Sequence, residues 1–400
     1  MSQVARSCSP GRTAFINTGS DAFALTGMRH DSTPARSLSP ARNRWRPHNS
    51  AASLSARILL PMQTRNVTLA QIGCGYWGPN LLRNFSSVPG CRVKHVVDAS
   101  SDRRAFVTNN FPHTKAVDSY EIPLSDPEVD AVIVATPAAT HYALARAALQ
   151  AGKHVFVEKP LATKISEVDD LAHEAAARER VVMVGHTFLY NSAVRHIKKL
   201  IDDRELGDIR YIYSQRLNLG RIRPDIDALW NFAPHDISII QYWLGNPEPI
   251  SVVRHGMDYI QAGIEDVVFL SIAYPNKVMA NIHVSWLDPQ KVRKMIVVGS
   301  RKMVVYDDIA EYKIAIFDKG IDRKAVLGEN MDFDLLRPIQ FNYRNDDIVL
   351  PQVRFSEPLR AEAEHFVESI RGNVTPLTGI PHARSVISIL ERARPFAVAG

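Results

Sequence analysis

From Val67 onward the apolar positions of this chain change period in a repeating way. Continuously apolar, β-branched runs (VTLAQI, CRVKHVV, VDAVIVA, HVFVE, VVMVGH) alternate with helix-period segments at 101–110, 141–151 and 167–180. A run apolar at every position is a strand buried on both faces, and strands separated by helices build a parallel sheet. From Ile209 the pattern is different. IRYIYSQRLN, ISVVRHGMDYI, DVVFLSIAY, VMANIHVSWL, KMIVVGS and KMVVYDD follow one another without intervening helices, so they predict a mainly antiparallel sheet. One helical insert interrupts them at 228–244, closed by Gly245, and Pro234 within it suggests that its first turn starts only at His235. Residues 319–350 are polar and aperiodic and read as irregular. Helix period returns at 357–371, with Ser356 as N-cap and Pro358 at the first position, and again at 382–398.

The first strand ends in Gly73-Cys74-Gly75-Tyr76-Trp77-Gly78, where strand period gives way to helix. Gly73 permits the turn, Gly75 lets backbone amides approach a pyrophosphate, and Gly78 lets the helix pack close to the strand. The next apolar run ends in Asp98, about twenty residues past Gly78, where a carboxylate accepts from a ribose hydroxyl. A dinucleotide is therefore the expected cofactor. An arginine after Asp98, Arg103 or Arg104, could greet a 2′-phosphate, but Asp98 would repel one, so NAD is favoured over NADP. Thr136, Pro137 and His141 follow the VDAVIVA strand, at the sheet edge where such folds bind ligands. The HVFVE strand delivers Glu158 and Lys159 to the same edge before Pro160 ends it.

Charge is segregated. Residues 1–66 hold nine Arg, no Lys and two acids, a net of +7, whereas 67–400 hold 39 basic and 40 acidic residues. The pI near 9.1 thus reports the leader, and the neutral body gives no reason to expect nucleic acid or a membrane surface as partner. The leader, residues 1–65, is rich in Ser, Arg, Pro and Ala and weak in periodicity; a tail, a transit peptide or upstream sequence before a start at Met62 would each look like this. Residues 1–61 are accordingly excluded from the fold, with Met62 the preferred start. Three cysteines (Cys8, Cys74, Cys91) without ligand spacing argue for a reducing, cytoplasmic setting and against a metal site.

GCGYWG, VVD, ATPAATH, AGKHVFVEKPLA and VGHTFLYNSAVRHIKKL together resemble the Gfo/Idh/MocA oxidoreductases, across 66–396. The resemblance implies an α/β protein: an N-terminal Rossmann dinucleotide-binding domain (66–187) and a C-terminal α+β domain (188–357) with an open, mainly antiparallel sheet. It implies that the helices of 358–398 pack back on the first domain, and that a sheet face covers the cofactor and often mediates oligomers, here a dimer or tetramer. The lysine of its EKP motif, Lys159, is a catalytic-site residue, and Pro160 is expected to follow a cis bond. The family's Asp and His four residues apart map onto Asn231 and His235; an asparagine can orient an imidazole but cannot stabilise imidazolium as a carboxylate would.

The implied chemistry is oxidation of a sugar carbinol, with hydride passing to nicotinamide and the hydroxyl proton to a base. His235 is assigned as base and Lys159 as the cation that holds the hydroxyl, roles that exchange if burial depresses the lysine. The polar stretch RLNLGRIRPDIDALW reads as a loop whose Arg216, Asn218, Arg221 and Arg223 suit a diphosphate. It looks most like the branch acting on nucleotide-activated amino sugars, such as UDP-N-acetylglucosamine 3-dehydrogenases and related uronate dehydrogenases. Tyr190 and Asn191 are further sugar contacts. The rival readings are an inositol or free-sugar dehydrogenase, which needs no arginine cluster, and a non-catalytic sugar-sensing regulator.

Overall fold

The computed structural model describes residues 66–323 and 341–393. The expectations about the leader and its start lie outside the described residues.

The first half alternates strand and helix: β1 (Val67–Ile72), α1 (Gly78–Ser86), β2 (Cys91–Val97), α2 (Ser101–Asn110), β3 (Lys115–Val117), α3 (Glu121–Ser125), β4 (Ala131–Val134), α4 (Ala138–Gln150), β5 (His154–Val157), α5 (Ile165–Ala177) and β6 (Val182–Val184). The six strands form one parallel sheet in the order β3-β2-β1-β4-β5-β6. Every residue of β1 and β4 is buried, which is why both read as unbroken apolar runs. The order reverses between β1 and β4, and the crevice at their carboxyl ends is where such a sheet receives a ligand.

The chain then crosses over through a 3-10 turn (Thr187–Tyr190) and α6 (Ser192–Asp202) into β7 (Ile209–Leu219) and α7 (Ala228–Leu244). β8 (Ser251–Met257), β9 (Val267–Tyr274), β10 (Val278–Ser285), β11 (Leu287–Gly299), β12 (Met303–Asp307), β13 (Ile314–Arg323) and β14 (Phe341–Val349) complete an eight-stranded sheet, ordered β14-β13-β12-β11-β7-β10-β9-β8. It is antiparallel except where β10 runs parallel to β7.

Three expectations need correction here. The irregular stretch of 319–350 contains the end of β13 and all of β14, an outer ladder whose described side chains are largely exposed and so leave no apolar period. The loop expected from Arg216 onward begins only after Leu219, because β7 runs on through Arg216 and Asn218. The N-cap of α8 (Pro358–Ile370) is Glu357; the Ser356 hydroxyl lies 3.0 Å from that of Ser192 instead.

α7 also starts a full two turns earlier than Pro234 suggested. Asp227 caps it by accepting from Trp230 N at 2.8 Å, and its other carboxylate oxygen accepts from buried Arg254 at 2.6 Å. Gly245 ends it in the left-handed conformation, φ 81°. A well-anchored cap and a buried face of Ile237, Ile240 and Trp243 outweigh the backbone bond that proline removes, a loss of about 3 kcal/mol.

The last two helices, α8 and α9 (Ile380–Arg392), return to the first half. Phe366 of α8 meets Phe85 of α1 and Phe156 of β5 in a triangle of tilted or edge-on rings with centroids 5.4–6.1 Å apart. All three rings are fully buried. Replacing Phe366 with Ala is expected to cost about 3–5 kcal/mol. Urea denaturation checks this, with a lowered midpoint the expected outcome.

Candidate active site

The glycine turn shows the geometry that a pyrophosphate needs. Gly73 has φ +96°, and a Cβ there would stand 2.5 Å from the Ala135 carbonyl oxygen, so no larger residue fits. At Gly78 a Cβ would meet the Gly73 oxygen at 2.8 Å, which sets how closely α1 approaches the turn. A Cβ at Gly75 would meet nothing within 4 Å; this is the open side of the turn. α1 starts there with no side-chain cap and no acid in its first turn, so its positive end is left for an anion. Asp98 stands beside it, accepting from Cys74 N at 2.7 Å and Ser100 N at 2.9 Å. A carboxylate offers about four lone-pair sites, so two remain for ribose hydroxyls. These features fit a bound dinucleotide.

Of the flanking arginines, Arg104 is tied to the carbonyls of Asp98 and Ala99, whereas Arg103 is exposed and close enough to act on the Cys74 thiol. Tyr76 is exposed, and Trp77 is half-exposed and close enough to act on the buried Glu158 carboxylate. The Thr136 hydroxyl pairs with that of Thr140, and Pro137 occupies the N-cap position of α4. His141 departs from its expected role at the cofactor. It is buried, and its two ring nitrogens lie 2.7 Å from the carbonyl oxygens of Pro160 and Thr136, so it ties the turn after β4 to the turn after β5.

Strand β5 places Glu158 and Lys159 at the crevice, and the Lys159–Pro160 bond is cis. The Lys159 ammonium reaches across to the second half and donates to the Asn231 carbonyl of α7 at 3.0 Å. Asn231 therefore contributes backbone here, an aspect that its side-chain chemistry does not suggest. Pro234 removes the donor that would serve the Trp230 carbonyl, so the backbone acceptors of this turn are under-used next to the Asn231 carbonyl that Lys159 reaches. One turn on, His235 packs edge-on against Phe188 with ring centroids 5.0 Å apart, and its Nδ1 is buried without a protein partner.

Electrostatics here are dominated by burial and by cations. Desolvation pushes the Lys159 ammonium well below the ordinary lysine range; Glu158 opposes this, while Arg216 and Arg223 reinforce it. Desolvation likewise holds His235 neutral, with Lys159, Arg216 and Arg293 adding to the effect. Glu158 is pushed up by desolvation, and one of its carboxylate oxygens has no protein partner. With the lysine depressed, the exchange of acid and base roles between Lys159 and His235 becomes a real chemical alternative.

The arginine cluster is not the open set that a loop would supply. Arg216 points inward, stacks over Phe188 at 4.7 Å and forms a two-pronged buried ion pair with Asp236 (2.9 and 3.1 Å). Arg223 is exposed and forked onto Asp225. Arg221 is exposed on the loop, and Asn218 is half-buried on β7 beside Gly220. Nor are the crossover residues open to a sugar. Tyr190 is buried beneath Arg195, and Asn191 caps α6 by accepting from Ala193 N.

Comparison with known proteins agrees with this layout. Residues 67–186 match the model described as the oxidoreductase family with an NAD-binding Rossmann fold, and 194–305 match the Gfo/Idh/MocA C-terminal domain. Those two matches together cover more than half of the chain. It belongs to the Gfo/Idh/MocA family of oxidoreductases. Among relatives of this Gfo/Idh/MocA oxidoreductase, a UDP-N-acetylglucosamine 3-dehydrogenase from Acidithiobacillus ferrooxidans is 28% identical over 56% of this chain and 68% of its own. A Bacillus subtilis scyllo-inositol 2-dehydrogenase (NAD(+)) is 26% identical over 78% and 88%. The solved structure of GenD2 from gentamicin A biosynthesis, in complex with NAD, shares the fold, with a TM-score of 0.67 at 22% identity over 82% and 93% of the two chains.

Two residues of the site escape a reading by motif. Asp236 follows His235 directly and looks like helix surface, yet it is 1% exposed and neutralises Arg216. Arg293 of β11 lies in a run too polar to stand out, and it is one of the cations acting on His235. Asp236→Asn leaves the Arg216 charge buried without its counterion, and a loss of about 3–5 kcal/mol is expected. Thermal or urea unfolding measures it; an unchanged midpoint would contradict the pairing.

Proposed function

We propose that this oxidoreductase oxidises a secondary hydroxyl of a sugar and that its substrate is a nucleotide-activated amino sugar. The observation that carries the reading is the meeting of Lys159, from the first half, with the His235 turn of α7 through the Asn231 carbonyl. An ammonium and a neutral imidazole beside the same crevice are what a carbinol needs: one holds the oxygen, the other takes its proton. Bound NAD supplies the hydride acceptor. The open turn at Gly75, flanked by Tyr76, Trp77 and Gly78, would hold its pyrophosphate, Asp98 its adenosine ribose, and Thr136, Pro137 and Glu158 its nicotinamide half. Asp98 supports NAD over NADP, since a 2′-phosphate would sit against a carboxylate.

His235 is the base in this scheme. Its depressed basicity keeps it neutral and ready across the working range, at the cost of driving force. Lys159 stays cationic while the hydroxyl loses its proton and stabilises the charge left on oxygen. Keeping both groups is what an enzyme requires and a sensor does not. The 28% relative acting on UDP-N-acetylglucosamine supports an activated amino sugar, and the surplus of cations around His235 supports an anionic one. An inositol or free sugar is the second reading, favoured by the 26% relative that covers more of this chain. Homo-oligomer formation through the larger sheet is supported by its uncovered face, where Tyr211, Val253, Phe269 and Met279 are exposed. Among the described residues no helix is long and apolar enough to cross a membrane.

Two measurements test the scheme. Lys159→Ala is expected to lower NADH formation at least ~10²-fold while NAD binding remains measurable by fluorescence; normal turnover would overturn the assignment. In the native protein kcat/KM for oxidation should fall as pH rises through a value well below the ~10.4 of free lysine, because the cation is lost there. A rate that climbs through the same range would instead make Lys159 the base.

A further inference from the structure

Four cationic side chains surround the Lys159–His235 pair or belong to it: Lys159 and three arginines. Lys159 donates one of its three N–H groups to the Asn231 carbonyl, and of the arginines Arg216 is forked onto Asp236 and Arg223 onto Asp225. Arg293 is the exception. Its contact with Asp308 is single and long, 3.4 Å, and its side chain is 40% exposed. Asp308 is itself shared, taking the Tyr306 hydroxyl at 2.9 Å on its other oxygen.

The register of the sheet fixes which way Arg293 points. Along the β7·β11 ladder Arg216 stands directly opposite Arg293, Ser214 opposite Met295, and Ile212 opposite Val297. Ile212, Ser214, Met295 and Val297 are all buried, on the face that also carries Arg216 to α7. Period two therefore puts Arg293 on that same helix-covered face, at the end of the strand where burial gives out and close enough to act on His235. Two like charges directly across a ladder repel unless one is neutralised. Asp236 neutralises Arg216, which leaves Arg293 with most of its donors open beside His235.

We propose that Arg293 is the anion anchor of the substrate cleft: its planar fork takes a pair of anionic oxygens, carboxylate or phosphate, of the sugar whose hydroxyl reaches His235. The assignment rests on the dehydrogenase reading only for what the sugar undergoes, since binding itself can be measured without turnover. It moves substrate recognition from the loop arginines to the sheet. Arg is suited to this where Lys is not, because carboxylate and phosphate match its two parallel N–H groups.

The test compares Arg293→Ala, Arg293→Lys and Lys294→Ala by calorimetric titration of NAD-loaded protein with UDP-glucose, glucuronate and glucose, alongside NADH formation. Lys294 has an equally long contact with Asp307 (3.4 Å) but lies on the opposite face, so it controls for loss of charge alone. Arg293→Ala should weaken the anionic ligand about 10–100-fold, the scale of a hydrogen-bonded charge pair. Arg293→Lys should recover only part of this, and Lys294→Ala should change nothing. Loss confined to UDP-glucose identifies the anion as diphosphate, and loss confined to glucuronate identifies it as carboxylate; each supports the anchor. Unchanged affinity for both anions in Arg293→Ala, or an equal loss for glucose or in Lys294→Ala, overturns it. If native protein forms no NADH with any sugar yet Arg293→Ala still loses an anion, the anchor stands and the dehydrogenase reading falls.

Discussion

A single hydrogen bond, from the Lys159 ammonium to the Asn231 carbonyl, joins chemistry carried by two different sheets. Its donor arrives on β5, at the carboxyl edge of a parallel sheet, and its acceptor belongs to a helix inserted in an antiparallel one. Neither end is free to move far. Pro160 and the His141 bridge hold the lysine turn, while the Asp227 cap, gripped by Arg254, fixes where α7 begins. The proline in mid-helix removes the donor for the Trp230 carbonyl, next to the Asn231 carbonyl that the lysine uses.

Around this bond the protein tolerates an unusual concentration of positive charge. Arg216 is the clearest case: it is almost wholly buried, so only its two-pronged contact with Asp236 makes its presence affordable. Once paired it still acts at a distance, lowering the proton affinity of both Lys159 and His235. The Arg216–Phe188–His235 stack thus links a structural ion pair to the candidate base through one aromatic ring.

Much of this was legible from residue order, because the signals were local. The glycine turn, the acid at the end of β2 and the switch from alternating elements to successive strands each depend on neighbours in sequence. Pairings between distant segments were not legible. Arg216 looked like a loop arginine, although period two within IRYIYSQRLN already aligned it with Ile212 and Ser214, which are buried. Only the position of α7 over that face explains why a charge could be there. His141 was similarly misjudged: location at a strand end suggested a ligand contact, whereas the facing carbonyls of Pro160 and Thr136 decide its role. β14 escaped notice because an exposed outer strand needs no apolar face.

The C-terminal helix α9 touches both halves. Arg384 reaches back to Asp169 of α5, His382 meets Asn246 just past the end of α7, and Arg392 lies against Glu248 and the carbonyls of Pro249 and Ile250. One helix thus pins α5 of the first half to the segment between α7 and β8 of the second, so parting the two halves there would break all of these contacts at once.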